Sequence, residues 1–352
     1  MKNLFVGFVG ISHLSITYGL AAASKKYKII NYDNPEELEN FYDGKKILIK
    51  EPGFDICYKK FKKNILFTSS VEDLKKCKIL FLSKDILTDN SGKSFYYQVN
   101  DLLKKITKFK TKPILVILSQ VYPGFTRKID WPKKKLFYQV ETLIFGHALS
   151  RASNPEQIII GSGLKNNLLT STLENYLNNF SKNIICMNYE SAELCKISIN
   201  AYLISQVSLT NKLNEISKTF NANWKDLKRG LVLDQRIGKY SYINPGLGIS
   251  GGNLERDLVT LKNICIKKNI NSDIFSTFIN YSTFYKNWVS REIKKINKKK
   301  LTISIVGITY KINTNSVKNS PSLYFMQKNL HHDYNVYDPY IEDIKFLKKK
   351  KY

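Results

Sequence analysis

Apolar positions follow two rhythms along this chain. Short, mostly apolar runs at Leu4–Val9, Lys28–Tyr32, Ile79–Leu82, Ile114–Leu118 and Gln157–Ile160 predict buried strands. His13–Lys26 and Phe95–Phe109 read as helices between them, and Gly161-Ser162-Gly163 closes the last strand. Strands alternating with helices predict a parallel sheet covered on both faces. From Ser191 to Phe220 there is neither Pro nor Gly, and apolar residues recur at Leu194, Ile197, Ala201, Ile204, Val207 and Leu213. That spacing predicts one long amphipathic helix. More helix follows, interrupted at Pro245–Gly252, as far as a basic segment over 293–300. Leu301–Val306 then opens a second strand and turn, with a helix near Ser322–Leu330 and a strand ending at Asp338-Pro339. A unit of about 50 residues buries too little surface to stand alone. Either it docks on the rest or the chain lacks an end.

The first run has two readings. Lys2, the apolar stretch to Ile11 and Ala21-Ala22-Ala23 resemble a secretory signal, which would leave a mature chain beginning at Ser24. Ser12, His13, Ser15 and Thr17 interrupt that apolar stretch. Strand, tight turn, helix, second strand and an acid, Asp33, about 20 residues past the turn form instead a dinucleotide-binding unit. Asp33 is then placed to accept both ribose hydroxyls, which favours NAD over NADP. The bland alternative makes it a turn residue before Asn34-Pro35.

Charge and cysteines narrow the class. The formal charge of +27 invites a polyanion reading, but only six of the 56 basic residues are Arg, and Lys is scattered throughout. Nucleic-acid sites lean on clustered Arg, so this surface reads as solvated Lys that attracts anionic ligands from a distance. Five dispersed cysteines without a Cys-x-x-Cys pair suit a reducing, cytoplasmic compartment and no structural metal. No stretch approaches the roughly 18 apolar residues of a spanning helix, so no membrane contact is expected.

Further segments line up in one order: Gly7-Phe-Val-Gly10, Glu51-Pro-Gly-Phe54, Ser119-Gln-Val-Tyr-Pro-Gly-Phe-Thr126, Tyr138–Ala148, Asn154-Pro155 with Ile158–Gly161, and Ser191-Ala-Glu-Leu-Cys-Lys196-Ile-Ser-Ile-Asn200-Ala. Asp234-Gln-Arg236-Ile-Gly238, Asn244-Pro-Gly246, Gly307-Ile-Thr-Tyr-Lys311 and Ser320-Pro321 follow. In this order they resemble the UDP-glucose/GDP-mannose dehydrogenase family. Those enzymes oxidise the C6 alcohol of a nucleotide sugar to a carboxylate with two NAD, in surface-polysaccharide precursor synthesis. The resemblance implies an α/β fold with an N-terminal Rossmann-type parallel sheet, a central long-helix dimerisation region and a truncated second Rossmann-like unit. The matching boundaries are 1–185 for the NAD domain, 186–292 for the central domain with its catalytic loop, and 293–352 for a partial nucleotide-sugar domain. The partners implied are a UDP- or GDP-sugar and a second copy of the chain.

Residue by residue, the resemblance places the cofactor on Gly7, Gly10, Ser12, His13, Leu14, Asp33 and Ser119. The family's three turn glycines become Gly10, Ser12 and Ser15, so Ser12 puts a side chain where the backbone meets the diphosphate. The family Thr-Pro beside the nicotinamide falls on Asp85-Ile86. Lys196 and Asn200, one turn apart on the long helix, take the positions that hold the sugar oxygen and an ordered water. An ammonium there can stabilise an alkoxide, whereas the bland reading is a solvated Lys. Glu193, three residues earlier, is placed to pair with it. Glu141 keeps the acid of the loop, whose second acid is Phe145. The catalytic loop aligns without gaps on Gly246–Asp257, with Gly251 and Asp257 retained and Asn253 at the nucleophile position. A carboxamide cannot form the thiohemiacetal that a thiolate forms with the intermediate aldehyde. Cys195 and Cys265 read as apolar residues rather than substitutes. Arg236 and Lys311 take substrate-phosphate positions, and the paired acids near Lys318 are Asn315-Ser316. Three functions compete: a nucleotide-sugar oxidoreductase with altered second oxidation, a catalytically silent relative, and a polyanion binder.

Overall fold

The structure is a computed structural model that describes residues 4–49, 51–89, 92–296, 299–312, 314 and 316–341. The chain divides into two compact units. The first comprises Met1–Thr88 with Ser94–Lys196, the second Asp89–Lys93 with Ile197–Tyr352.

In the first unit, β1 (Phe5–Val9), α1 (His13–Ser24), β2 (Lys28–Tyr32), α2 (Pro35–Glu39), α3 (Phe54–Phe61), β3 (Ile65–Thr68) and β4 (Ile79–Leu82) come first. The short pair β5 (Leu87–Thr88) and β6 (Ser94–Phe95) leads to α4 (Tyr97–Thr107), β7 (Ile114–Ile117), β8 (Leu136–Gln139), α5 (Ala148–Ser153), β9 (Ile158–Ser162), α6 (Ser171–Leu177) and β10 (Ile184–Asn188). Eight strands form one sheet in the order β10-β9-β8-β7-β4-β1-β2-β3, parallel except where β8 meets β9. The expected Rossmann-type sheet is present. Its central strands β4 and β7 are apolar and buried throughout, as strands covered on both faces must be. The run read as a possible leader forms β1, an interior strand between β4 and β2, and α1 behind it is buried along most of its length. Strand order reverses between β1 and β4, the crevice where open α/β sheets bind ligands.

Three strands of the large sheet escaped the hydrophobic pattern. β3 and β10 are half-exposed edge strands, so their apolar runs are diluted. β8 was not expected, and only its second half overlaps the Tyr138–Ala148 segment. It is fully buried, and its polar Gln139 lies among those buried residues.

The second unit begins inside α7 (Tyr189–Thr219), the expected long helix, and continues with α8 (Trp224–Leu233), α9 (Asn253–Lys267), α10 (Asp273–Lys286) and α11 (Trp288–Lys294). β11 (Thr302–Val306), α12 (Pro321–Lys328) and β12 (Asp333–Tyr337) complete it, with the two strands parallel. This last segment docks: Ile308, Leu323, Phe325 and Met326 form a core against which Val289 and Ile293 of α11 pack. Asn319 fastens it further, donating to the carbonyls of Ile249 and Gly251. Among the described residues no helix is long and apolar enough to cross a membrane.

Candidate functional site

Gly10 turns the chain from β1 into α1 with φ +89°, and an added Cβ would lie 2.6–2.9 Å from atoms of Lys84. Only glycine suits that turn. Ser12, the residue expected to obstruct a diphosphate, is instead turned inward as the N-cap of α1. Its Oγ accepts from the Ser15 amide at 3.2 Å and donates to the Ser83 carbonyl at 2.6 Å. Ser15 Oγ accepts from the Ser12 amide in return, closing a capping box. The amides of His13 and Leu14 stand at the first two helical positions, outside that box. A left-handed glycine followed by a helix N-terminus fits the diphosphate of a dinucleotide.

The other expected cofactor positions also make contacts within the fold. Gly7 lies within β1, where an added Cβ would strike Leu80 at 2.5 Å, so its missing side chain makes room for packing. Ser119 is fully buried and spends its hydroxyl on the Lys84 carbonyl at 2.6 Å. Asp33 is 1% exposed and accepts from the Ile11 and Asn34 amides, each at 2.8 Å. The His13 ring packs on Phe145 at 4.5 Å between centroids, and its Nε2 lies 3.4 Å from Glu51 Oε2. A phenyl ring thus fills the place of the loop's second acid.

Lys196 is no solvated lysine: it is 8% exposed, and its Nζ lies 3.1 Å from Glu141 Oε2. Gln120 Nε2 donates to the same oxygen at 2.9 Å, and the Leu143 amide donates to Glu141 Oε1. Gln120 Oε1 is buried beside this pair without a hydrogen-bond partner. Glu193 does not pair with Lys196 as expected. It is fully buried, and its two oxygens accept from the amides of Gly124 and Thr126, fixing the loop after β7. Burial pushes its carboxyl above the ordinary value, and the Thr126 and Gly124 bonds act in the opposite sense. Glu193→Gln turns an NH2 toward one of these amides, and urea unfolding should show a loss of about 1–3 kcal/mol. An unchanged midpoint would deny Glu193 this role.

In the second unit, Asn200 Nδ2 donates to Asp257 Oδ2 at 2.5 Å. Arg256 Nε donates to Asp257 Oδ1 at 3.0 Å, and all three residues are buried. Asn253 opens α9 one turn before Asp257 and is exposed. Gly251, at φ +77°, precedes it, and an added Cβ would lie 3.1 Å from the Tyr310 ring.

Residues 190–282 match the central domain of the UDP-glucose/GDP-mannose dehydrogenase family. A UDP-glucose 6-dehydrogenase of Rickettsia typhi is 25% identical over 332 residues, covering 90% of this chain and 76% of its own. That of Campylobacter jejuni is 28% identical over 262 residues, 72% of this chain and 65% of its own. The fold matches a UDP-glucose dehydrogenase structure from Pyrobaculum islandicum with a TM-score of 0.85 at 20% identity, over 96% of this chain and 82% of that one. Residues 190–282 are the central domain of the UDP-glucose/GDP-mannose dehydrogenase family, and the chain is similar to nucleotide-sugar dehydrogenases over most of its length.

Against the family pattern, Arg236 follows α8 with its guanidinium exposed and, among the described residues, held only by Asp234, Nη2 to Oδ2 at 2.6 Å. Lys311 is half-buried in the turn after β11, and Asn315 lies outside the described residues. The Lys318 side chain crosses Gly252, its Cε 2.6 Å from where a Cβ would sit, which puts a cation at the start of α9. Cys195 is half-buried, and burial pushes its thiol above the ordinary value. Cys265 is buried on α9. Three residues of consequence escaped the sequence reading. Gln120 stands where the family has Thr and Arg256 where it has Lys, so motif alignment alone could have flagged both. Lys84 left no signal, because its partners are distant in sequence.

Proposed function

We propose that this chain is an NAD-dependent oxidoreductase acting on the CH–OH group of a nucleotide sugar, with its second oxidation altered. The observation that carries this reading is the buried Lys196–Glu141 pair, maintained in a chain whose other lysines are largely solvated. A bound nicotinamide would supply the hydride acceptor. The Lys196 ammonium stabilises the alkoxide of a sugar hydroxyl, and the orphaned Gln120 Oε1 accepts from a neighbouring hydroxyl. Asp257 fixes the orientation of the Asn200 carboxamide. Asn253 offers no nucleophile, so no covalent adduct forms and the aldehyde is released without a second oxidation. Gly251, Lys311 and Arg236 are the proposed contacts for the sugar nucleotide. The exposed Tyr202, Leu209, Leu213 and Ile216 along α7 support pairing of two copies.

A catalytically silent relative is the second reading, favoured by Asn253 and by Phe145 in place of an acid. The two separate in one assay, NADH formation from a panel of UDP- and GDP-sugars. The enzyme gives about one NADH per molecule of its sugar, as expected without the covalent step. No NADH from any of them transfers the reading to the silent relative.

A further inference from the structure

Lys84, at the end of β4, belongs to no motif, yet its side chain reaches the acid that a dinucleotide needs. Its Nζ lies 2.8 Å from Asp33 Oδ2 and 2.7 Å from Glu37 Oε2, and the residue is 5% exposed. The backbone around it is clamped: Ser12 Oγ and Ser119 Oγ donate to the carbonyls of Ser83 and Lys84, and Ser83 Oγ donates to the Gly10 carbonyl at 3.0 Å. The ammonium on its four-carbon stem is the part free to relocate. A cavity of about 210 Å³ opens beside this group, lined by Asp33, Glu37, Lys84, Tyr97, Gln98 and Lys105 among others.

A carboxylate offers about four lone-pair sites. At Asp33 the Ile11 amide and Lys84 take both sites on Oδ2, and the Asn34 amide takes one on Oδ1. One site remains, and a ribose diol donates two hydrogen bonds. We propose that Lys84 is a built-in competitor for ribose at Asp33, so that the chain takes up NAD weakly until the ammonium retreats to Glu37. This rests on the dinucleotide reading above. Glu37 suits the role of second seat: its side chain is 28% exposed, against 2% for Asp33, so the ammonium moves toward solvent as it leaves. Two acids facing one lysine also leave no surplus positive charge at Lys84 for a 2′-phosphate. NAD is therefore preferred to NADP in spite of the lysine.

The test is isothermal titration of the purified full chain with NAD and with NADP, no sugar present. Lys84→Met should bind NAD about tenfold more tightly or better, the worth of one recovered hydrogen bond to a charged group. Glu37→Gln should bind it several-fold more weakly, because the ammonium then has Asp33 alone. A merely structural role for these residues would not move the two variants in opposite directions. If the Met variant does not melt cooperatively, Lys84→Gln, which keeps a donor without the charge, repeats the measurement with a smaller expected gain. Equal NAD affinity in wild type and Lys84→Met overturns the proposal and leaves the enzyme reading intact. A wild-type preference for NADP that Lys84→Met abolishes also overturns it, making Lys84 a phosphate receiver. If no protein binds either dinucleotide, the cofactor reading falls and the proposal with it.

Discussion

Asn253→Cys should raise the NADH formed per nucleotide sugar from about one to about two, by restoring the covalent step. The position is prepared for a thiolate. Residue 253 is the first of the 15-residue α9, and a helix N-terminus lowers a thiol's pKa. The Lys318 side chain crossing Gly252 adds a positive charge at the same end. Asp257, one turn on, is buried and held by Asn200 and Arg256, so the acid of this loop stays in place. The substitution itself should be nearly silent for folding, because Asn253 is exposed and caps nothing. A stability change within about 0.5 kcal/mol is expected at such a site. Product analysis separates the outcomes: aldehyde or its hydrate from the wild type, uronate from the variant. Two NADH from the wild type, or one from the variant, would sink the idea that the nucleophile was the decisive exchange.

Lys196→Met should cost both activity and stability, by separable amounts. Removing the ammonium strands Glu141, which keeps the Gln120 and Leu143 donors but loses its only ion-pair partner among the described residues. Breaking a buried pair from one side costs about 3–5 kcal/mol. The two remaining donors put the expected loss nearer the lower figure, read from urea unfolding. Loss of the charge that stabilises a forming alkoxide should lower kcat by roughly 10²–10³-fold. Lys196→Met/Glu141→Gln removes the stranded charge, so most of the stability should return while the activity does not. Recovery of activity in the double variant would reduce Lys196 to a structural ion pair.

The elements that place these groups were legible in the sequence where local pattern suffices. Val6, Phe8 and Val9 in β1, and the unbroken runs of β4 and β7, announce buried parallel strands. The long helix announces itself by 31 residues without a breaker. Edge strands β3 and β10 were lost because one face meets solvent and dilutes the pattern. The gapless alignment of Gly246–Asp257 located Asn253 and Asp257, since a catalytic loop is contiguous in sequence.

Partner choice was not legible. Sequence spacing offered Glu193 to Lys196, three residues apart on one helix. In the fold Glu193 turns to the amides of Gly124 and Thr126, 69 and 67 residues away, and Lys196 meets Glu141. Ser12 read as an obstruction from its side chain alone. Its hydroxyl is consumed by Ser83, 71 positions on, which clears the helix start. Asp33 read as an open acid, and Lys84 meets it from 51 residues away. The sequence by itself determined the family resemblance, the inner parallel strands and the absence of the thiol, because these depend on residue identity and local periodicity. Which carboxylate faces which ammonium, and how many lone pairs Asp33 has left, was decided only by the tertiary structure. Buried polar groups must find partners wherever the packed strands bring donors and acceptors together, and that proximity is not written in their spacing along the chain.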